Sequence, residues 1–250
     1  MLRTEGATIK FGGLTAVNQV DMHVKKGDVC ALIGPNGAGK TTCFNILSGV
    51  YRPTSGKVFF DGKDVTGLPP FKINEAGMSR TYQAIHLFKT MSVLDNVLVG
   101  VHPRIQYGLS DAIFHTRKNR EEERRALEKA EELMEFVGLT AKRNSVAGSL
   151  SYGEQRLVEI IRGMASDPKL LLLDEPAAGM NSKEKVDLSE TILRIKDRGF
   201  TVLLVEHDMK LVMNISDYIY VLNYGTKIAE GIPSEIQTNP DVIAAYLGGE

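Results

Sequence analysis

The run Gly34-Pro35-Asn36-Gly37-Ala38-Gly39-Lys40-Thr41 has the residue types and spacing of a phosphate loop, G-x-x-x-x-G-K-[ST]. Its glycines let the backbone curl until successive N–H groups face one concavity, and a helix starting near Lys40 adds partial positive charge to it. The chemistry this predicts is polyphosphate binding, with ATP as the guest. Lys40 would reach the β- and γ-phosphates, the Thr41 hydroxyl would coordinate the bridging Mg²⁺, and Thr42 follows in the same first turn. A second reactive pair, Asp174-Glu175, follows Leu170-Leu171-Leu172-Leu173. Asp174 suits the Mg²⁺ shell. Glu175 suits a general base or a group that orients water, because phosphoryl transfer chiefly needs a placed nucleophile and neutralised charge. An acidic pair after a strand also serves as a helix N-cap, but a phosphate loop on the same chain favours the chemical role.

The elements that must hold these groups follow from the apolar pattern. Val29 to Ile33 and Leu170 to Leu173 are short apolar runs bounded by turn signals, the pattern of buried parallel strands, and Thr201 to Val205 is a third. Asp174-Glu175 then lies at the carboxyl edge of a parallel sheet, where ligands of such folds bind. Leu2 to Val24 reads as strands broken at Gly12-Gly13 and forming an antiparallel edge, and Lys57 to Phe60 continues the strand character. Pro69-Pro70 precedes a short helix ending near Gly77. From about Ser92 to Glu159 the pattern is helical, which implies a second lobe. Within it, the charge-dense stretch Arg117 to Val137 keeps Leu127, Ala130, Met134 and Val137 on one side, so its charges form a solvated face with i,i+4 pairs. A helix from Ser182 to Arg198 ends at Gly199. After His207 come a short helix, strands at Tyr218 to Leu222 and Lys227 to Glu230, and a final piece around Pro240 to Leu247.

Composition bounds the partners. A net charge of −1 over 250 residues argues against broad electrostatic capture of nucleic acid. Cys30 and Cys43 flank the phosphate loop and read as small core residues in a reducing compartment, without a disulfide. No apolar run approaches the roughly 20 residues of a membrane span, so the chain reads as cytosolic and at most peripheral to a membrane.

Leu150-Ser151-Tyr152-Gly153-Glu154-Gln155 supplies a hydroxyl, a glycine and a fresh helix N-terminus, all suited to anion contact. This stretch resembles the LSGGQ signature of ATP-binding cassette (ABC) ATPases, and the surrounding motifs fall in that family's order. Gln83 matches the Q-loop, Asp174-Glu175 the Walker B aspartate and catalytic glutamate, Ala178 to Asn181 the D-loop, and His207 the switch histidine. Phe11, before Gly12-Gly13, matches the aromatic that stacks on adenine. Two signature positions depart from the general pattern: Tyr152 stands for the second glycine and Glu154 for the glutamine. Tyr152, and Asn181 in the D-loop, are similar to the variant in LivG-type branched-chain amino-acid transport ATPases. So are the runs Phe11 to Val17, Glu206 to Met213 and Asn239 to Gly248.

The resemblance covers essentially the whole chain. It implies a phosphate-loop (RecA-like) α/β core with an antiparallel β-subdomain over 1–91 and 160–232, an inserted helical subdomain over 92–159, and a C-terminal helical segment over 233–250. It implies catalytic roles for Glu175, His207 and Gln83, a Mg²⁺ shell of Thr41, Gln83 and Asp174, and ATP contacts from Phe11, the loop Gly34 to Thr42, and Ser151 to Glu154. Two cassettes, as a homodimer or heterodimer, would meet head to tail so that the loop of one and the signature of the other enclose each ATP. The implied role is the ATP-hydrolysing subunit of an importer for branched-chain or related hydrophobic amino acids. It would sit on the cytoplasmic face of the cell membrane with integral permease subunits and, indirectly, a solute-binding protein. A non-transport cassette acting on DNA or ribosomes is disfavoured by the near-neutral charge and the lack of long coiled coils. A non-hydrolysing regulatory module is disfavoured by the presence of both Glu175 and His207.

Overall fold

The computed structural model describes residues 1–104 and 117–247; the expected tail residues 248–250 and part of the expected helical lobe, 105–116, lie outside them. The chain divides into two compact units, Met1–Gln83 with Lys169–Glu250, and Ala84–Pro168. The division falls earlier than 92 and later than 159 because segment 84–91 is tied to the signature region. Gly148 N donates to Lys89 O at 3.0 Å, Ala147 N to Met91 O at 2.9 Å, and His86 N to Glu159 Oε1 at 3.2 Å.

In the core unit β1 (Leu2–Phe11) and β2 (Leu14–Val24) pair antiparallel across the Gly12-Gly13 turn, and β4 (Ser55–Phe60) and the short β5 (Lys63–Asp64) extend the sheet in the order β2-β1-β4-β5. The second sheet has the order β10-β9-β3-β8-β7-β6. Its parallel strands are β3 (Val29–Ile33), β6 (Met78–Arg80), β7 (Leu170–Asp174), β8 (Thr201–Val205) and β9 (Tyr218–Asn223), and β10 (Thr226–Gly231) closes it antiparallel to β9. Every residue of β3, β7 and β8 is buried, which explains why these strands read as unbroken apolar runs rather than alternating ones. The core cluster takes Leu2, Val20 and Phe60 from the antiparallel sheet, Leu32, Leu172 and Leu203 from the parallel one, and Phe44 from α1 (Lys40–Leu47) between them. Cys30 and Cys43 are buried there as free thiols, and burial pushes both up to about 12.

The long helix α6 (Ser182–Asp197) and the short helices α2 (Pro70–Ala76), α7 (Met209–Ile215), α8 (Pro233–Thr238) and α9 (Pro240–Leu247) complete this unit. The helical unit contains α3 (Val93–Val101), α4 (Arg117–Phe136) and α5 (Tyr152–Met164). In α4, Ala130 and Met134 are buried as expected, but Leu127, and Val137 just past the helix end, are only half-buried and the buried stripe runs instead through Ala126, Leu133 and Phe136, with the charged positions mostly exposed. Among the described residues no helix is long and apolar enough to cross a membrane.

Candidate active site

The loop between β3 and α1 is held in a shape that only glycine tolerates at two positions. Gly34 has φ 151° and a Cβ there would lie 2.1 Å from Leu222 O; Gly39 has φ 97° and a Cβ there would lie 2.5 Å from Ala16 O. Gly39 is also the N-cap of α1 and offers no side chain to the first-turn amides. Lys40, Thr41 and Thr42 line a cavity of about 430 Å³ with Asn36, Gly37 and Gly39, and N–H groups at such a helix start lack a carbonyl one turn back. A concavity of uncapped amides at a helix N-terminus is an anion site by construction.

Lys40 is buried, and its Nζ donates to Gly34 O at 2.8 Å and Pro35 O at 2.9 Å. Burial lowers its pKa, and the nearby Glu175 carboxylate opposes that shift. Glu175 and His207 form another wall of the same cavity. Glu175 follows β7 with φ 47°, a left-handed conformation uncommon outside glycine, and its N–H donates to Val205 O at 2.9 Å. Its two carboxylate oxygens are held separately: Gln83 Nε2 donates to Oε2 at 2.8 Å, and His207 Nε2 lies 3.0 Å from Oε1. The three residues predicted to act in catalysis therefore meet at one carboxylate.

The other predicted groups are distributed differently. Asp174 is buried and pairs through Oδ2 with Arg80, while Thr41 lies in the cavity and Gln83 on Glu175. These groups offer hydroxyl, amide and carboxylate oxygens, the hard donors that Mg²⁺ takes, so the chemistry of the set fits that ion. Phe11 is 45% exposed at the end of β1, its ring edge-on to Tyr51 at 5.4 Å, and it lies outside the cavity lining.

Ser151 to Glu154 belong to the helical unit, where Ser151 is the N-cap of α5. Its Oγ accepts from Glu154 N at 3.3 Å and its own N–H donates to Glu154 Oε2 at 3.1 Å, a closed capping box. Glu154 Oε1 pairs with Lys142, and that hydrogen bond, followed by the Ser151 N–H, holds the Glu154 carboxyl below the usual range. The carboxylate that departs from the family glutamine thus has local work. Tyr152 accepts from the buried Arg156 at 3.3 Å, and Arg156 pairs with Glu159 at 2.6 Å.

Three residues of these sites, Arg80, Arg156 and Tyr224, escape a reading by motif, and a fourth, Glu206, enters one only as part of a longer run. Arg156 is buried and the Arg80 side chain is 6% exposed, and the partners of both cations appear only in three dimensions. Tyr224, with φ 44°, lines the loop cavity beside Gly225; the Asn223-Tyr224-Gly225 turn signal marks the place but not the role. Glu206 is buried and accepts from Ala177 N at 2.6 Å and His207 N at 3.0 Å, joining the segment after Glu175 to the one carrying His207. Burial raises its pKa against those donors.

Known proteins are similar to this chain over its full length. The family profile described as ABC transporter matches residues 17–178, and one described as branched-chain amino acid ATP-binding cassette transporter matches residues 226–250. The chain is 49% identical to the high-affinity branched-chain amino acid transport ATP-binding protein BraF of Pseudomonas aeruginosa, covering 99% of this chain and 98% of the relative. It is 46% identical to LivG of Escherichia coli K12, with the same coverage. Among solved structures, the ADP conformation of MJ1267, an ATP-binding cassette of an ABC transporter, superposes with a TM-score of 0.87 at 36% identity, over 100% of this chain and 99% of that one.

Proposed function

The chain belongs to the ATP-binding proteins of ABC transporters, and on that premise we propose that it powers import of branched-chain or related hydrophobic amino acids through membrane permease partners. The observation that carries the reading is Glu175, fixed at both carboxylate oxygens on the wall of the phosphate-loop cavity. Glu175 accepts the proton of the water that attacks the γ-phosphate. His207 and Gln83 orient it, so the base enters the reaction already aimed. The uncapped amides of the loop and of α1 bind the phosphates, and Lys40 leaves the Gly34 and Pro35 carbonyls for the β- and γ-phosphates. Mg²⁺, held by Thr41, Gln83 and Asp174, would neutralise charge on the transferring phosphoryl group.

The signature Ser151 to Glu154 serves the ATP of a second cassette, in a head-to-tail homodimer or heterodimer. ATP binding closes that pair and hydrolysis reopens it, because affinity for ATP differs between the two states. The site of action is the cytoplasmic face of the membrane, with a solute-binding protein contributing indirectly. The cargo reading is supported by the branched-chain profile over the C-terminal residues and by the near full-length relatives.

Replacing Glu175→Gln keeps the shape and removes the base. Phosphate release should fall by about 10²- to 10⁴-fold while ATP binding persists; near-normal hydrolysis would overturn the base assignment. For cargo, vesicles carrying the assembled transporter should take up radiolabelled leucine, isoleucine or valine in an ATP-dependent way. Uptake indifferent to ATP would overturn the import reading.

A further inference from the structure

The guanidinium of Arg80 joins three segments of the core unit that lie far apart in sequence. Nη1 donates to Asn45 Oδ1 and to Ser48 Oγ, each at 2.7 Å, and Nη2 donates to Asp174 Oδ2 at 2.7 Å. The Arg80 and Asp174 side chains are 6% and 4% exposed. The Tyr82 and Phe44 rings lie against the guanidinium, with centroids 4.9 Å and 5.7 Å from Cζ. Asn45 is on α1 and Ser48 ends it, so two of the bonds fix the helix that starts in the phosphate loop. Asp174 ends β7 one residue before Glu175, and Arg80 ends β6 three residues before Gln83.

Stability alone does not account for this cluster. Desolvating a guanidinium and a carboxylate costs about as much as their pairing returns, and apolar side chains of similar volume commonly do as well. Arg80 also carries a buried Nε–H that meets no acceptor among the described residues, a further cost that packing would avoid. What the cluster provides is direction. One oxygen of Asp174 is spent on Arg80, and the carboxylate is locked relative to α1 and therefore to Thr41. Magnesium demands near-ideal octahedral geometry from few protein oxygens, and groups bonded to a ligating carboxylate set how it presents itself.

We infer that Arg80 is a positioning residue for the metal that accompanies ATP, acting through Asp174. The inference rests on the reading of Asp174 as a Mg²⁺ ligand. It is read as the magnesium gain: the ratio of affinities for a non-hydrolysable ATP analogue with Mg²⁺ and with EDTA, measured by calorimetry on the full chain. Asp174→Asn should abolish the gain. Arg80→Met, which keeps bulk without donors, should lower it by about tenfold or more while affinity in EDTA stays within about twofold. Arg80→Lys keeps the charge but cannot span Asn45, Ser48 and Asp174, and should lower the gain by roughly threefold. A residue that merely supports the fold would shift the unfolding midpoint and leave the ratio alone. If Arg80→Met does not fold, Arg80→Lys decides. A folded Arg80 variant with the wild-type gain overturns the inference, whereas Asp174→Asn with the wild-type gain overturns the ligand reading beneath it.

Discussion

The two units each present a helix N-terminus of the kind that binds anions, and they finish it in opposite ways. In the core unit α1 starts at Gly39, whose missing side chain leaves the first-turn amides to whatever enters the cavity. In the helical unit α5 starts at Ser151, and the reciprocal bonds between Ser151 and Glu154 use the Glu154 and Ser151 N–H groups internally while Lys142 balances the added charge. The first end has no side-chain cap at all; the second is partly capped by its own side chains and presents a preformed face. This difference suits the proposed division of labour, in which the loop binds ATP within one chain and the signature meets an ATP held by another.

The contrast breaks most severely at Gly34. Gly34→Ala places a methyl group 2.1 Å from the Leu222 carbonyl at a φ that alanine rarely adopts. The strand-to-loop junction must shift, with an expected cost of at least about 4 kcal/mol in urea unfolding and loss of ATP binding. A variant that binds ATP normally would show that the loop is looser than its packing implies.

The next largest effect lies in the helical unit. Arg156→Met removes the ion-pair partner of the buried Glu159 carboxylate and leaves it the His86 N–H and the charge of Arg162, at an expected cost of about 3 kcal/mol. Adding Glu159→Leu should restore most of that loss, because the cost is the unpaired charge and not the absent pair. A double variant as unstable as the single one would mean that Arg156 acts mainly by holding Tyr152.

How much of this was legible in the sequence differs between the two ends for a physical reason. The phosphate loop, the strand ahead of it and Asp174-Glu175 are local patterns, and local spacing is enough to mark where they lie. The buried parallel strands are equally local, since burial on both faces writes itself as an apolar run. Strand β6 escapes because three residues show no period, and its side-by-side pairing with Leu170 to Leu172 is set more than 90 positions away. Arg80 is hidden with it. Arg156 sits in a polar helix start, where any arginine reads as solvated. The Ser151-x-x-Glu154 spacing was itself a capping-box signature, and it explains a glutamate that the family pattern alone leaves unexplained.

Ser151→Ala tests the self-completed end directly. It removes the acceptor for Glu154 N and should cost about 1 kcal/mol of stability, as cap removal does elsewhere. Gly39 has no comparable side-chain contribution to lose.

The smallest effect is also the most specific. Glu154→Gln keeps an acceptor for the Ser151 N–H and loses only the charge pair with Lys142, which is partly exposed and screened, so at neutral pH the loss should be below about 1 kcal/mol. The pH dependence separates charge from cap. The Glu154 carboxyl is held below its ordinary range by Lys142 first and the Ser151 N–H second, so its folded pKa lies beneath its unfolded value of about 4.3. A group shifted downward contributes stability that is fully present above the unfolded pKa and is lost as pH falls through the folded one. The difference in unfolding free energy between wild type and Glu154→Gln should therefore be constant from pH 7 to about pH 5 and shrink toward zero in more acidic solution. The Ser151→Ala difference should persist in part, since Ser151 Oγ accepts from Glu154 N whatever the carboxyl's charge. If both differences decay together, the box and the Lys142 pair are one coupled unit, and the signature end would depend on charge as much as the phosphate loop does.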